Sequence, residues 1–167
     1  MRTFCALLGL GATAAATVEK AMSNPTQSEK PVMSKPARVA IKTINIEASF
    51  EKVFGFLANP LNWPRYAVVN LKSVEPGKDG WFVTETRFGS GELKINAVRE
   101  HGIFDHVWRD AQATWNVPAR VVRNNHGSTV EILIFQPPTM SDFQFDTAMA
   151  EMEIELRKLK EILESEN

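Results

Sequence analysis

Phe145, Met149, Met152, Leu156, Leu159 and Leu163 recur at alternating steps of four and three. That spacing puts all of them on one stripe of a helix roughly five turns long. Ser141 and Gln144 form a capping box in front of it, Met140 and Phe145 supply the flanking apolar staple, and Asp142 suits the positive end of the helix dipole. A long helix with one greasy stripe must be covered, and the partner this chain offers is a sheet. The opposite face carries Glu151, Arg157, Lys158 and Glu161, with Ile154 as an apolar exception. Glu153 and Arg157 are spaced for an i,i+4 ion pair. Glu161, Glu164 and Glu166 oppose the dipole, which predicts a frayed end.

The sheet is legible upstream. Residues 38–47 are rich in β-branched residues and read as a strand, with a phase slip between Ile41 and Ile44 that suggests a bulge or twist. Ser49 is a good N-cap for a helix whose apolar face is Phe50, Val53, Phe54 and Leu57. Asn59-Pro60 stops that helix, and a short helical turn follows through Trp63 and Tyr66. From Val68 to Pro137 strands alternate with turn signals. These are Pro76-Gly77-Lys78-Asp79-Gly80, Gly89-Ser90-Gly91, His101-Gly102 and Asn124-Asn125-His126-Gly127. Regular short spacing predicts an antiparallel sheet of six to seven strands. The fold class expected is α+β, a curved sheet wrapped around the C-terminal helix.

The first 37 residues are of another kind. Of the 15 Phe, Trp and Tyr residues, only Phe4 precedes residue 48, so this segment has little with which to fill a core. Residues 1–21 read as a leader and residues 22–37, rich in Ser, Pro, Lys, Asn and Gln, as a disordered linker before a domain over 38–166. One reading of the leader is a secretory signal, with Arg2 as a minimal basic region and Phe4–Ala16 as the apolar core, which implies an exported or periplasmic protein. Another is that translation starts at Met33, which implies a cytoplasmic one. Gly9-Leu10-Gly11-Ala12-Thr13-Ala14 also matches a dinucleotide-binding fingerprint. The chain lacks the second strand and downstream acid that this site needs, so the match is accidental.

Charge and composition remove several functions. Nineteen basic residues against 20 acidic give a net charge of −1, with no general electrostatic attraction to nucleic acid. The lone cysteine, Cys5, excludes an internal disulfide framework. No apolar run reaches membrane-span length. The scattered histidines His101, His106 and His126 show no metal-ligand spacing, and the chain has no G-x-S-x-G or P-loop motif. No metal and no cofactor are expected.

Three stretches carry a resemblance. Ile44-Asn45-Ile46-Glu47-Ala48-Ser49-Phe50-Glu51-Lys52-Val53-Phe54 resembles the first strand and the "A-S-x-E-x-V-F" helix start of the SRPBCC superfamily. Asn59-Pro60-Leu61-Asn62-Trp63-Pro64-Arg65-Tyr66 is similar to its "D-P-x-N-W-P-x-W" helix, with Asn59 for Asp and Tyr66 for Trp. Residues 127–138, Met140-Ser141-Asp142 and Leu159-Lys160 resemble the last strand and helix of the bacterial polyketide cyclase/dehydrase-like branch. The resemblance implies the helix-grip fold of START domains and the birch-pollen allergen type. It is a poor guide to function, because the superfamily holds ligand carriers, cyclases, oxygenase subunits and co-chaperones.

The candidate site follows from the strand phases. Trp63, Tyr66, Phe82, Thr84, Phe104 and His106 are expected to line a cavity under the last helix. So are Trp108, Trp115, Val117, Phe145, Met149 and Met152. Aromatic walls with flexible methionines suit an apolar guest, although the same residues could simply fill a core. The small residues Thr84, Thr86, Ala97 and Ala119 on the apparent inner faces favour a cavity. The expected function is binding or carriage of a small hydrophobic or aromatic molecule. The alternative is a polyketide cyclase/dehydrase-like enzyme with His106 as acid/base and Tyr66 or Arg120 polarising a carbonyl. Strand phase favours a solvated outer face for Arg120, and Glu85 and Arg87 are placed for an outer-surface pair. A third reading is a co-chaperone-like interaction module, which would need a large exposed apolar patch. The sequence does not identify a protein partner.

Overall fold

The computed structural model describes residues 35–111 and 113–165. The leader and nearly all of the linker lie outside them. Strand β1 (Val39–Ile46) feeds directly into α1 (Phe50–Leu57), whose cap is Ser49, its hydroxyl accepting the Lys52 N–H at 3.3 Å. The face formed by Phe50, Val53, Phe54 and Leu57 is buried. Asn59 then accepts the Leu61 N–H at 3.1 Å and Pro60 opens a 3-10 turn over Pro60–Arg65. After β2 (Leu71–Pro76), β3 (Phe82–Thr86) and β4 (Gly89–Val98) come β5 (Ile103–Arg109), β6 (Thr114–Val117), β7 (Ala119–Asn124) and β8 (Gly127–Phe135). Helix α2 (Asp142–Ser165) closes the chain's described part.

The strands form one antiparallel sheet in the order β1-β8-β7-β5-β4-β3-β2, with β6 joined to β5. Among the described residues there are eight strands rather than six or seven. The difference lies at Pro118, which splits what reads as one strand. Its carbonyl accepts the Leu133 N–H at 2.9 Å, but it has no N–H to continue the ladder. Both halves still lean on β5, through His106 opposite Val117 and Ile103 opposite Arg120.

Of the bulge or twist expected in β1, no bulge forms. β1 pairs with β8 without a break from Val39–Phe135 to Ile46–Ser128. Ile41 is 57% exposed on the outer face, while Lys42 turns inward to reach Glu153 on α2. The register shift sits instead in β2, between Leu71 and Ser73. The turn expected at Gly89-Ser90-Gly91 is made by Arg87 and Phe88, with Thr86 paired to Gly89. Gly91 belongs to the strand, where a Cβ would come within 2.9 Å of the Arg109 carbonyl oxygen.

The capping box on α2 forms as expected. Gln144 N–H donates to the Ser141 hydroxyl at 3.3 Å, and Ser141 N–H donates to Gln144 Oε1 at 2.9 Å. Phe145, Met149, Leu156, Leu159 and Leu163 are buried, and Met152 is half-buried against the same core. Two expectations for the polar side change. Glu153 pairs with Lys42 rather than Arg157, because the helix lies against β1 and a strand lysine is nearer. The last turn is anchored rather than frayed: Glu164 accepts the Glu47 N–H at 2.7 Å and pairs with Lys160 at 2.6 Å.

Candidate functional site

Helix α2 stands off part of the sheet and leaves a cavity of about 710 Å³. Alternation along β5 brings Phe104, His106 and Trp108 onto its wall. Pairing of His106 with Val117 and of Trp108 with Trp115 adds two β6 residues in step. Ile132 and Ile134 of β8, and Met149, Met152 and Leu156 of α2, extend the apolar lining. Phe88 on the β3–β4 turn and Phe143 in the first turn of α2 also line it while 65% and 80% exposed, which marks the open end.

The 3-10 turn supplies the aromatic floor. Trp63 is fixed by a hydrogen bond from its indole N–H to the Leu57 carbonyl at 2.9 Å, one of the carbonyls left over at the end of α1. Its ring meets His106 edge-on at 4.9 Å and lies 6.2 Å from Tyr66. His106 Nδ1 lies 3.2 Å from the Phe104 carbonyl. A proton on Nδ1 donates there and leaves Nε2 as an acceptor. The imidazole is part-exposed, but it lines the cavity and is enclosed by aromatic rings. Loss of hydration therefore lowers its pKa to about 4, against weaker opposing effects from the Phe104 carbonyl and the Asp105 charge. Burial, with Glu155 nearby, pushes the Tyr66 phenol above its usual range. Both groups are uncharged at neutral pH and can exchange hydrogen bonds with a guest.

The opposite wall is polar. Glu155 of α2 is 8% exposed. Its Oε1 accepts the Val69 N–H at 3.1 Å, the Asn70 N–H at 3.0 Å and, more loosely, the Asn70 side-chain amide at 3.4 Å. Burial raises its carboxyl pKa; those three donors offset only part of that rise, and the Glu151 charge adds to it. One turn earlier Glu151 pairs with Arg87 at 2.5 Å, and both line the cavity. Asp110, near the Trp108–Trp115 wall, accepts the Ala113 N–H at 3.0 Å. Among the described residues no three His, Cys, Asp or Glu side chains converge to hold a metal ion.

Nine of the residues chosen from the sequence come together here: Trp63, Tyr66, Phe104, His106, Trp108, Trp115, Val117, Met149 and Met152. Three do not. Phe82 starts β3 at the end far from the Arg87–Phe88 turn, and Thr84, in mid-strand, is buried under Gly91. Phe145 is fully buried, with the Arg38 guanidinium 5.2 Å from its ring centre. Of the small residues, only Thr86 reaches the lining, so the space comes from the stand-off of α2. Arg120 is on the other face of the sheet, in an ion pair with Asp105, because β7 turns Ala119 and Val121 inward. Glu85 accepts from Ser90 rather than Arg87, which has gone to Glu151. Sequence reasoning missed Glu155 and placed Glu151 on the outer helix face. The signal for Glu155 was its spacing, three residues after Met152 and four before Leu159.

No family model matches this sequence, and no curated protein is detectably similar to it. Solved structures are. A START superfamily protein from Mycobacterium smegmatis superposes with a TM-score of 0.61 over 77% of this chain and 99% of its own, at 12% identity. The chain has the helix-grip fold. Two further solved structures show the same likeness. Ara h 8.0201 covers 77% of this chain and 99% of its own, at 10% identity and a TM-score of 0.58. The Aha1 dimer from Colwellia psychrerythraea covers 76% and 96%, at 13% identity and a TM-score of 0.63. At these identities the likeness is one of fold, and the helix-grip cavity of this chain must be read from its own residues.

Proposed function

We propose that this protein binds or carries a small hydrophobic or aromatic molecule in the cavity under α2. The observation that carries the reading is a volume of about 710 Å³ walled by Trp63, Phe104, Trp108 and Trp115 and left open beside two exposed phenylalanines. Spaces of roughly 300–1,000 Å³ with aromatic walls and few polar groups are typical of small-molecule sites. The likeness to a START superfamily protein supports the reading. Carriage is favoured over the cyclase/dehydrase-like alternative by the placement of Arg120, whose partner is Asp105 outside the cavity. That leaves Arg87, already held by Glu151, as the guanidinium in the described lining, rather than a cation free beside His106 and Tyr66 to stabilise an enolate.

The test is titration of the protein with Nile red, a neutral apolar dye, followed by dye emission and by quenching of the lining tryptophans. Saturable binding with a blue shift is expected, together with competition by long-chain alcohols. Emission that stays at its aqueous position at all protein concentrations would overturn the reading.

A further inference from the structure

Among the described residues Glu155, 8% exposed, is the one buried carboxylate, and it lines the cavity. All of its donors, Val69 N–H, Asn70 N–H and the Asn70 amide, go to Oε1. No described group donates to Oε2. The Tyr66 hydroxyl, near enough for the Glu155 charge to act on it, is likewise bonded to no described residue. Two backbone donors on one oxygen favour the ionised carboxylate against the burial that raises its pKa, and a carboxylate oxygen in a space of low polarity demands a donor, above all a cationic one.

The surroundings set the sign of that donor. The described lining carries three carboxylates, Asp110, Glu151 and Glu155, against one guanidinium, Arg87, which is held by Glu151. His106 adds no positive charge at neutral pH. Trp63, Tyr66 and Trp108 also line the cavity, and aromatic rings are groups against which a cation is stabilised.

We propose that the ligand is an apolar amine whose ammonium group donates to Oε2 of Glu155. This rests on the cavity being a binding site and adds the chemical class of its occupant. An ammonium has donors for both Oε2 and the Tyr66 oxygen, and its charge offsets the buried carboxylate. An alcohol would supply a donor but no charge, and a carboxylate would meet like charge.

The experiment is displacement of Nile red from the full chain at pH 7 by decylamine, decanol and decanoate, all below their micelle thresholds. Decylamine is expected to compete about tenfold or more better than decanol, with decanoate weakest. In Glu155→Gln the ratio of amine to alcohol affinity should fall close to one. The Gln carbonyl can still accept from Val69 and Asn70, and circular dichroism reports whether the fold is kept. Retention of the amine preference by a folded Glu155→Gln protein would overturn the proposal. So would decanol or decanoate matching decylamine in the unmodified protein, a comparison that needs no variant. If Nile red binds and the amine shows no advantage, only the assignment of the amine fails. If neither the dye nor any of the three compounds binds, the cavity reading fails with it.

Discussion

The indole of Trp63 and the imidazole of His106 meet edge to face, with ring centres 4.9 Å apart and planes at 81°. One comes from the turn after α1 and the other from the middle of β5, so this contact ties the helical cap to the sheet at the cavity floor. It also helps keep water from the imidazole, whose pKa falls from 6.5 to about 4.

A pH dependence follows. Folded His106 stays neutral down to about pH 4, whereas the unfolded chain takes up that proton near pH 6.5. Between those values the unfolded state binds more protons, so stability rises with pH. The contribution is complete above about pH 6.5 and is lost towards pH 4, by up to about 3 kcal/mol. Urea unfolding at pH 7 and pH 4.5 should show a larger drop in the unmodified protein than in His106→Leu. Equal drops would refute this account.

Trp63→Phe removes the indole donor and leaves the Leu57 carbonyl unpaired at the end of α1. A loss of about 1–3 kcal/mol is expected, seen as a lower urea midpoint at unchanged slope.

Gly102 adopts φ +63°, and a Cβ there would lie 2.1 Å from the Val121 carbonyl oxygen. The Gly102 carbonyl also accepts the Val121 N–H at 2.8 Å, so the two backbones cannot separate without cost. Gly102→Ala should destabilise by about 2 kcal/mol or more. A melting temperature within a degree of the parent would contradict that.

Thr84 is almost completely buried and its hydroxyl has no hydrogen-bond partner among the described residues. Thr84→Val exchanges that hydroxyl for a methyl group of similar size. Stability should hold or rise by up to about 1 kcal/mol, measured by thermal melting. A loss of comparable size would show that the hydroxyl has a partner, such as a bound water.

Much of the fold was legible because it is written in local periodicity. The stripe from Phe145 to Leu163, the Ser141–Gln144 capping box and the Ser49 cap each depend on residues a few positions apart, and each forms. Where an outcome hung on a distant partner, the local reading failed. Lys42 drew Glu153 from Arg157, Glu151 drew Arg87 from Glu85, and Glu47 and Lys160 anchored Glu164. Pro118 was in plain view, but whether it broke a strand or rode an edge depended on how β5 met both halves.

The sequence by itself determined that a curved antiparallel sheet would meet one long helix, and which face of each element would be apolar. Alternation and helical spacing decide facing, so nine cavity residues could be chosen before any contact was known. Only the tertiary structure decided how far α2 stands from the sheet, and therefore that those faces enclose space. It also decided that Phe82, Thr84 and Phe145 fall outside that space and that Glu155 lines it beside Asn70. Facing is a property of one element, whereas a volume belongs to the gap between two, and packing far along the chain sets that gap.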